Sequence, residues 1–257
     1  MSSSTWTPAA LSSEARPRSG TGWRLVEAQH TVSTLKLVDT VEEQALLEAL
    51  VEETKPALPS ECEGLHYLLA TPFRYGAAHP AGSRFRRAGL TEGVFYAAEA
   101  PATAVAEIVF WRLLFFAESP ATPWPANAAE YTAFSVAWAT RRAIDLTRGR
   151  LARDEVHWTH LTDYTACQAL ADAARTAKVD AIRYRSVRDP SGGHNLALLT
   201  ARAFAKKKPL GQQTWRVRLS ETGAQAVCEQ PKAGITFDRT TFAADPRIAG
   251  LRWQRGA

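Results

Sequence analysis

Glu107 combines a titratable side chain with a setting that does not suit one. The apolar run from Pro101 to about Phe116 predicts a helix, on which the neighbours of Glu107 at three, four and seven residues include Thr103, Ala104, Phe110, Trp111 and Leu114. A carboxylate on so apolar a face is costly unless something compensates it. The compensation is either an arginine in a structural ion pair or positive charge that develops on a substrate in a dry cleft. Two arginine segments precede it, Phe73-Arg74-Tyr75-Gly76 and Gly82-Ser83-Arg84-Phe85-Arg86-Arg87-Ala88-Gly89. The planar guanidinium suits phosphate oxygens, and the glycines let backbone approach a ligand closely. Tyr75 and Tyr96 suit either core packing or stacking on a ring. Ser186 opens an expected turn running to Gly193. Its hydroxyl either bonds local backbone or faces the cleft of Glu107, and the sequence supplies no evident base to make it a nucleophile.

The elements that must position these residues follow from periodicity. Val41 to Glu53 predicts a helix with Leu46, Leu47, Leu50 and Val51 on one face and a capping box at Thr40 and Glu43. Lys55 to Pro59 breaks it. His66 to Ala70 reads as a strand, as do Gly93 to Ala98, Thr132 to Trp138 and Ala181 to Tyr184. Asp163 to Lys178 reads as a helix. Further strands are expected at Leu196 to Leu199, Trp215 to Leu219, Gln225 to Glu229 and Ile235 to Phe237. Strands outnumber helices and alternate with them irregularly, which favours an α+β fold over a doubly wound parallel one. Residues 1–20, rich in Ser, Pro and Ala, are expected to be a flexible tail. Residues 21–60 are expected to form a helical extension, and 61–257 the main domain with a C-terminal β elaboration.

Composition excludes several classes. At 46% hydrophobic and 22% charged residues, with eight Trp and ten Phe, the chain of 257 residues can bury a substantial core. A net charge of +5 suits a polyanion or an anionic small ligand, but the basic residues form no arm or stripe, so direct nucleic-acid binding is not expected. Cys62, Cys167 and Cys228 are distant and odd in number, which fits a reducing compartment and no zinc site. The first residues lack the apolar core of a secretory signal, and Val105 to Ala117 is too short for a membrane span. A cytoplasmic protein without a membrane association is expected. No dinucleotide-binding Gly-x-Gly-x-x-Gly, P-loop, His-Glu-x-x-His or Gly-x-Ser-x-Gly occurs. His157 and His160 share a helical spacing but lack a third ligand, so no metal is expected.

Taken together, Phe73-Arg74-Tyr75, Ser83-Arg84-Phe85, Val94-Phe95-Tyr96, Thr103-Ala104-Val105-Ala106-Glu107 and Arg185-Ser186-Val187-Arg188-Asp189 resemble, in order and approximate spacing, the RES domain family over roughly Gly64 to Phe204. The resemblance implies a fold like that of ADP-ribosyltransferases, with mixed or antiparallel sheets flanked by helices. It also implies a toxin of a toxin–antitoxin pair that cleaves the nicotinamide–ribose bond of NAD+ and passes ADP-ribose to phosphate or water. NAD+ is then the substrate and phosphate a candidate co-substrate, with no resident cofactor. The implied catalytic residues are Glu107, Arg84 and Ser186, and the implied substrate-binding residues are Arg74, Tyr75 and Tyr96. An Xre-type antitoxin is the implied partner, and self-association is left open. Many members carry Gly-Arg-Trp-Asn where this chain has Ser83-Arg84-Phe85-Arg86, so Arg86 is a candidate to alter the charge of the cleft. The alternatives are ADP-ribosylation of a macromolecule and a nucleic-acid-binding regulator.

Overall fold

The computed structural model describes residues 6–28, 37–74, 82–89 and 92–255. Its strands are β1 (Arg16–Glu27), β2 (Phe95–Ala98), β3 (Ala129–Asp145), β4 (Ala181–Arg185), β5 (His194–Leu198), β6 (Gly211–Ser220), β7 (Gly223–Cys228) and β8 (Ala233–Asp238). They form one mixed sheet in the order β1-β2-β5-β4-β3-β6-β7-β8. The long strand β3 organises it. Its C-terminal end pairs in parallel with β4 at Ala143–Asp145, while its N-terminal half pairs antiparallel with β6. Along its other edge β3 also pairs with β1, which reaches β2 at Trp23 opposite Ala98. Strands β1, β2, β5, β4 and β3 thus close on one another. The fold is α+β, as expected.

Helices α1 (Pro8–Glu14), α2 (Val41–Glu53), α3 (Tyr67–Arg74), α4 (Pro101–Glu118), α5 (Glu155–Trp158), α6 (Thr165–Thr176) and α7 (Pro246–Ala249) surround the sheet. Pro101 begins α4 at a position where its missing N–H costs nothing, and the run that follows buries Val105, Val109, Phe110 and Leu113 against β3, β6, β7 and β8. The open carbonyls at its C-terminal end are met by Arg255, which donates to Phe116, Ser119 and Thr122. A second core joins Leu170 of α6 and Leu11 of α1 to Ile144, Ile182 and Ala197 of the sheet. Among the described residues no helix is long and apolar enough to cross a membrane.

Two expectations are corrected. Residues 8–14 are a helix with Leu11 fully buried and residues 16–27 a strand, where a flexible tail was expected over 1–20 and a helical extension from residue 21. Strand β1 hides from sequence reading because Pro17, Gly20 and Gly22 lower its strand propensity. At Gly22, however, a Cβ would lie only 3.0 Å from that of Ala97 on the adjoining strand, so close strand approach requires the glycine. The second correction is α3, which occupies the stretch read as a strand at His66 to Ala70. Leu69, Ala70 and Phe73 are buried on one helical face, and a short apolar run does not separate helix from strand by periodicity. Helix α2 and its capping box match expectation, yet none of its residues is buried, and Leu46 and Leu50 remain exposed.

The hairpin of β4 and β5 lies against the start of α4, where Thr103 donates to Asp189 at 2.6 Å. A Cβ at Gly193 would collide with Thr103 Oγ1 and Asp189 Oδ2 together. Gly193→Ala is therefore expected to push the hairpin off α4 and to destabilise the protein by about 1–3 kcal/mol, the usual range for overpacking. Thermal unfolding checks this. An unchanged melting temperature would mean that the hairpin does not need this close approach.

Candidate active site

The same docking brings Ser186 to Glu107. Ser186 leaves the end of β4, and its N–H bonds the Gly193 carbonyl across the loop. Its hydroxyl donates to Glu107 Oε1 at 2.7 Å and accepts from the N–H groups of Arg188 and Asp189. From β5, the amide of Asn195 donates to the same Oε1 at 2.6 Å. Among the described residues Glu107 makes no ion pair, and its Oε2 accepts no hydrogen bond; the nearby Arg188 is paired with Asp245 instead. The carboxylate on the apolar face is therefore held by neutral donors and not by an arginine.

Glu107 lines a cavity of about 220 Å³ with Tyr96, Tyr184, Tyr164, Arg84 and Asn195. Pockets that enclose whole drug-sized ligands measure roughly 300–1,000 Å³, so this one fits a single end of a larger molecule. Tyr96 forms part of the wall and also shapes it. Its hydroxyl bonds Ser83 Oγ at 2.8 Å and accepts the N–H of Phe85 at 2.9 Å, which pins the turn that carries Arg84. Gln168 of α6 braces that turn through the carbonyls of Ser83 and Arg86. Burial raises the phenol pKa of Tyr96, and burial with the charge of Glu107 raises that of Tyr184 well above its ordinary value.

Three arginines reach this cavity. Arg84 is buried and donates to the carbonyls of Trp158 at 2.7 Å and His160 at 3.0 Å, with its guanidinium 4.6 Å from the centre of the Tyr164 ring. Among the described residues it has no carboxylate partner. Arg188 lies over the Phe110 ring at 3.8 Å and pairs with Asp245 at 3.0 Å, both side chains being almost wholly buried. Burial lowers the pKa of Arg188. Burial alone would raise that of Asp245, but hydrogen bonds from Arg247 and the charge of Arg188 hold it below the ordinary carboxylate value. Arg24, on β1, donates to the Tyr96 carbonyl at 3.1 Å, and burial pushes its pKa down to about 10. Asp245 and Glu107 balance only part of this positive charge, so the cavity favours an anion.

Glu107, Arg84 and Tyr96 are thus brought together, and Ser186 stands behind them. Ser186 does not line this cavity; it faces a neighbouring depression beside Asp189 and Gly192. Both readings of its hydroxyl meet here, since it bonds Glu107 and two local backbone N–H groups. Arg74 is not in the cavity either. It ends α3 and is held by Glu52 of α2 at 2.5 Å and by the Pro56 carbonyl at 2.7 Å. Tyr75 lies outside the described residues, and Arg86 does not line the cavity. Sequence reasoning missed Arg24 because its segment was read as part of an extension, and Asn195 because it stands at the head of an apolar run. The signal for Asn195 was a carboxamide directly before the apolar strand expected at Leu196 to Leu199. Among the described residues no group of His, Cys, Asp and Glu could hold a metal ion.

The Arg24 charge, which burial disfavours and no carboxylate among the described residues relieves, should respond to an anion. Arg24→Met is expected to raise the melting temperature of the free protein by roughly 2–4 °C, as about 1 kcal/mol does in a chain of this size. It is also expected to reduce the further rise produced by pyrophosphate. Thermal unfolding with and without pyrophosphate checks both, and an undiminished pyrophosphate effect would remove Arg24 from the anion site.

No curated protein is significantly similar to the chain. Its structure is similar to a chain in the crystal structure of the M.tuberculosis MbcT-MbcA toxin-antitoxin complex, at 15% identity and a TM-score of 0.47, over 82% of this chain and 91% of that one. The RES domain family matches residues 58–220, which include Glu107, Arg84, Tyr96, Ser186 and Asn195. The match spans more than half of the sequence, and the chain belongs to the RES domain family.

Proposed function

We propose that this protein breaks the nicotinamide–ribose bond of NAD+ and transfers ADP-ribose to phosphate or water. The observation that carries the reading is the free Oε2 of Glu107, presented by neutral donors on the wall of a cavity that also holds the unpaired charge of Arg84. Nicotinamide leaves NAD+ as a neutral molecule, because the bonding pair neutralises the pyridinium nitrogen. The leaving group needs no strong acid, and the barrier lies mainly in the ribosyl cation. A fixed carboxylate opposite that cation lowers the barrier without having to reorganise. The arginines hold the pyrophosphate and present the ribose in one orientation. A cavity of about 220 Å³ admits the nicotinamide and its ribose and leaves the adenosine end outside.

Family membership supports a further reading, that the protein is the toxin of a toxin–antitoxin pair and is restrained by an Xre-type antitoxin over the cleft. Expression of the isolated chain in bacteria is then expected to lower NAD+ and to slow growth. If neither occurs, the toxin reading fails. The acceptor is tested with the pure protein: phosphate is expected to accelerate NAD+ loss and to yield a phosphorylated ADP-ribose. Only free ADP-ribose at saturating phosphate would leave water as the acceptor.

Glu107→Gln keeps the shape of the side chain and removes its charge. Turnover is expected to fall by about a hundredfold or more, the order found when a group that stabilises a transition state is lost. Because no arginine depends on Glu107, the melting temperature should change little, whereas breaking a buried ion pair would cost about 3–5 kcal/mol. NAD+ turnover and thermal unfolding measured on one preparation check this, and a stable variant with full activity would sink the mechanism.

A further inference from the structure

Asn195 is buried on β5, and its two amide atoms are treated very differently. The nitrogen donates to Glu107 Oε1 at 2.6 Å. The oxygen, Oδ1, is buried and has no hydrogen-bond partner among the described residues. The amide cannot relieve this by turning over, since Oδ1 would then face the Glu107 carboxylate, acceptor against acceptor. A buried acceptor without a donor destabilises a fold by about 1–3 kcal/mol, and leucine, of similar size, would avoid that. The unmet acceptor offsets much of what the bond to Glu107 contributes, so fold stability alone does not account for the amide.

We propose that Asn195 is a positioning residue for Glu107, retained for the donor it supplies and not for the stability of the fold. The proposal rests on the NAD+-cleaving reading. Asn195 and Ser186 converge on a single oxygen from two sides of the β4–β5 hairpin, which fixes the rotation of the carboxylate and leaves Oε2 for the ribosyl centre. Both bonds go to the charged form of Glu107 and stabilise it. Removing the amide donor therefore has a consequence that a packing role lacks: the carboxylate loses its fixed orientation, which lowers kcat more than it alters KM.

The test uses the full chain with NAD+ as substrate, and rates are expressed per folded molecule. Asn195→Leu is expected to keep or raise the melting temperature while kcat falls about ten- to a hundredfold, with KM within about threefold of the wild type. Asn195→Asp replaces the amide donor with a second carboxyl group against Glu107 and should lower kcat at least as far, again with little change in KM; it also serves if the leucine variant folds poorly. Absence of NAD+ loss by the wild type would overturn the function itself and this inference with it. A wild type that consumes NAD+, beside folded variants with wild-type kcat, or with KM raised as much as kcat is lowered, would overturn the role of Asn195 alone.

Discussion

The fold has to hold the Glu107 carboxylate against an apolar helix without giving it a cation. An arginine within contact distance would compensate the charge more strongly, but it would also cancel the field at the place where a substrate cation forms. Two neutral donors avoid that conflict, and supplying them constrains much of the chain. Ser186 and Asn195 stand on either side of the loop of one hairpin, so that loop must lie directly on α4. Gly193 makes the approach close enough, and the bond between Thr103 and Asp189 fixes it. Burial alone would raise the Asp189 pKa, but hydrogen bonds from Ser191 and Thr103 keep it below its ordinary value.

The cavity arginines solve a related problem in two ways. Arg188 lies close enough to sense Glu107, and a free guanidinium there would compete for the carboxylate. Asp245 takes up its charge, and the Phe110 face supports it from below. Arg84 lies over the Tyr164 ring, and its donors go to backbone carbonyls that satisfy geometry but not charge. The result is a difference in charge balance: a carboxylate takes up the charge of Arg188, and that of Arg84 has no carboxylate partner among the described residues, which on the proposed reading leaves it for an anion.

Much of this was legible from residue types. The α4 periodicity exposed Glu107 as a charge out of place, and the segments carrying Arg84, Tyr96 and Ser186 were recognisable together. What was not legible depended on pairing between distant segments. Nothing near Ser186 in sequence shows that its hydroxyl points to a helix some eighty residues earlier, so its role as a nucleophile or an anchor could not be separated from that of a turn residue. Strand β1 was hidden because its glycines, which disfavour strands in general, are required by the neighbours it meets at Ala97 and Trp138. The resemblance implied Arg74 at the substrate, whereas the fold holds it with Glu52 and the Pro56 carbonyl.

The same dependence on pairing explains why the cavity draws on segments beyond the RES match at residues 58–220. Trp23, Arg24 and Leu25 precede it and form one wall, because β1 joins β2 to β3 at the level of the site. Asp245 follows it and neutralises Arg188 from the start of α7. A shorter chain carrying only the matched residues would keep Glu107, its two donors and Arg84, yet would leave Arg188 without its counter-charge beside the carboxylate. The matched segment thus holds the reacting groups, and the flanking segments set the electric field in which they act.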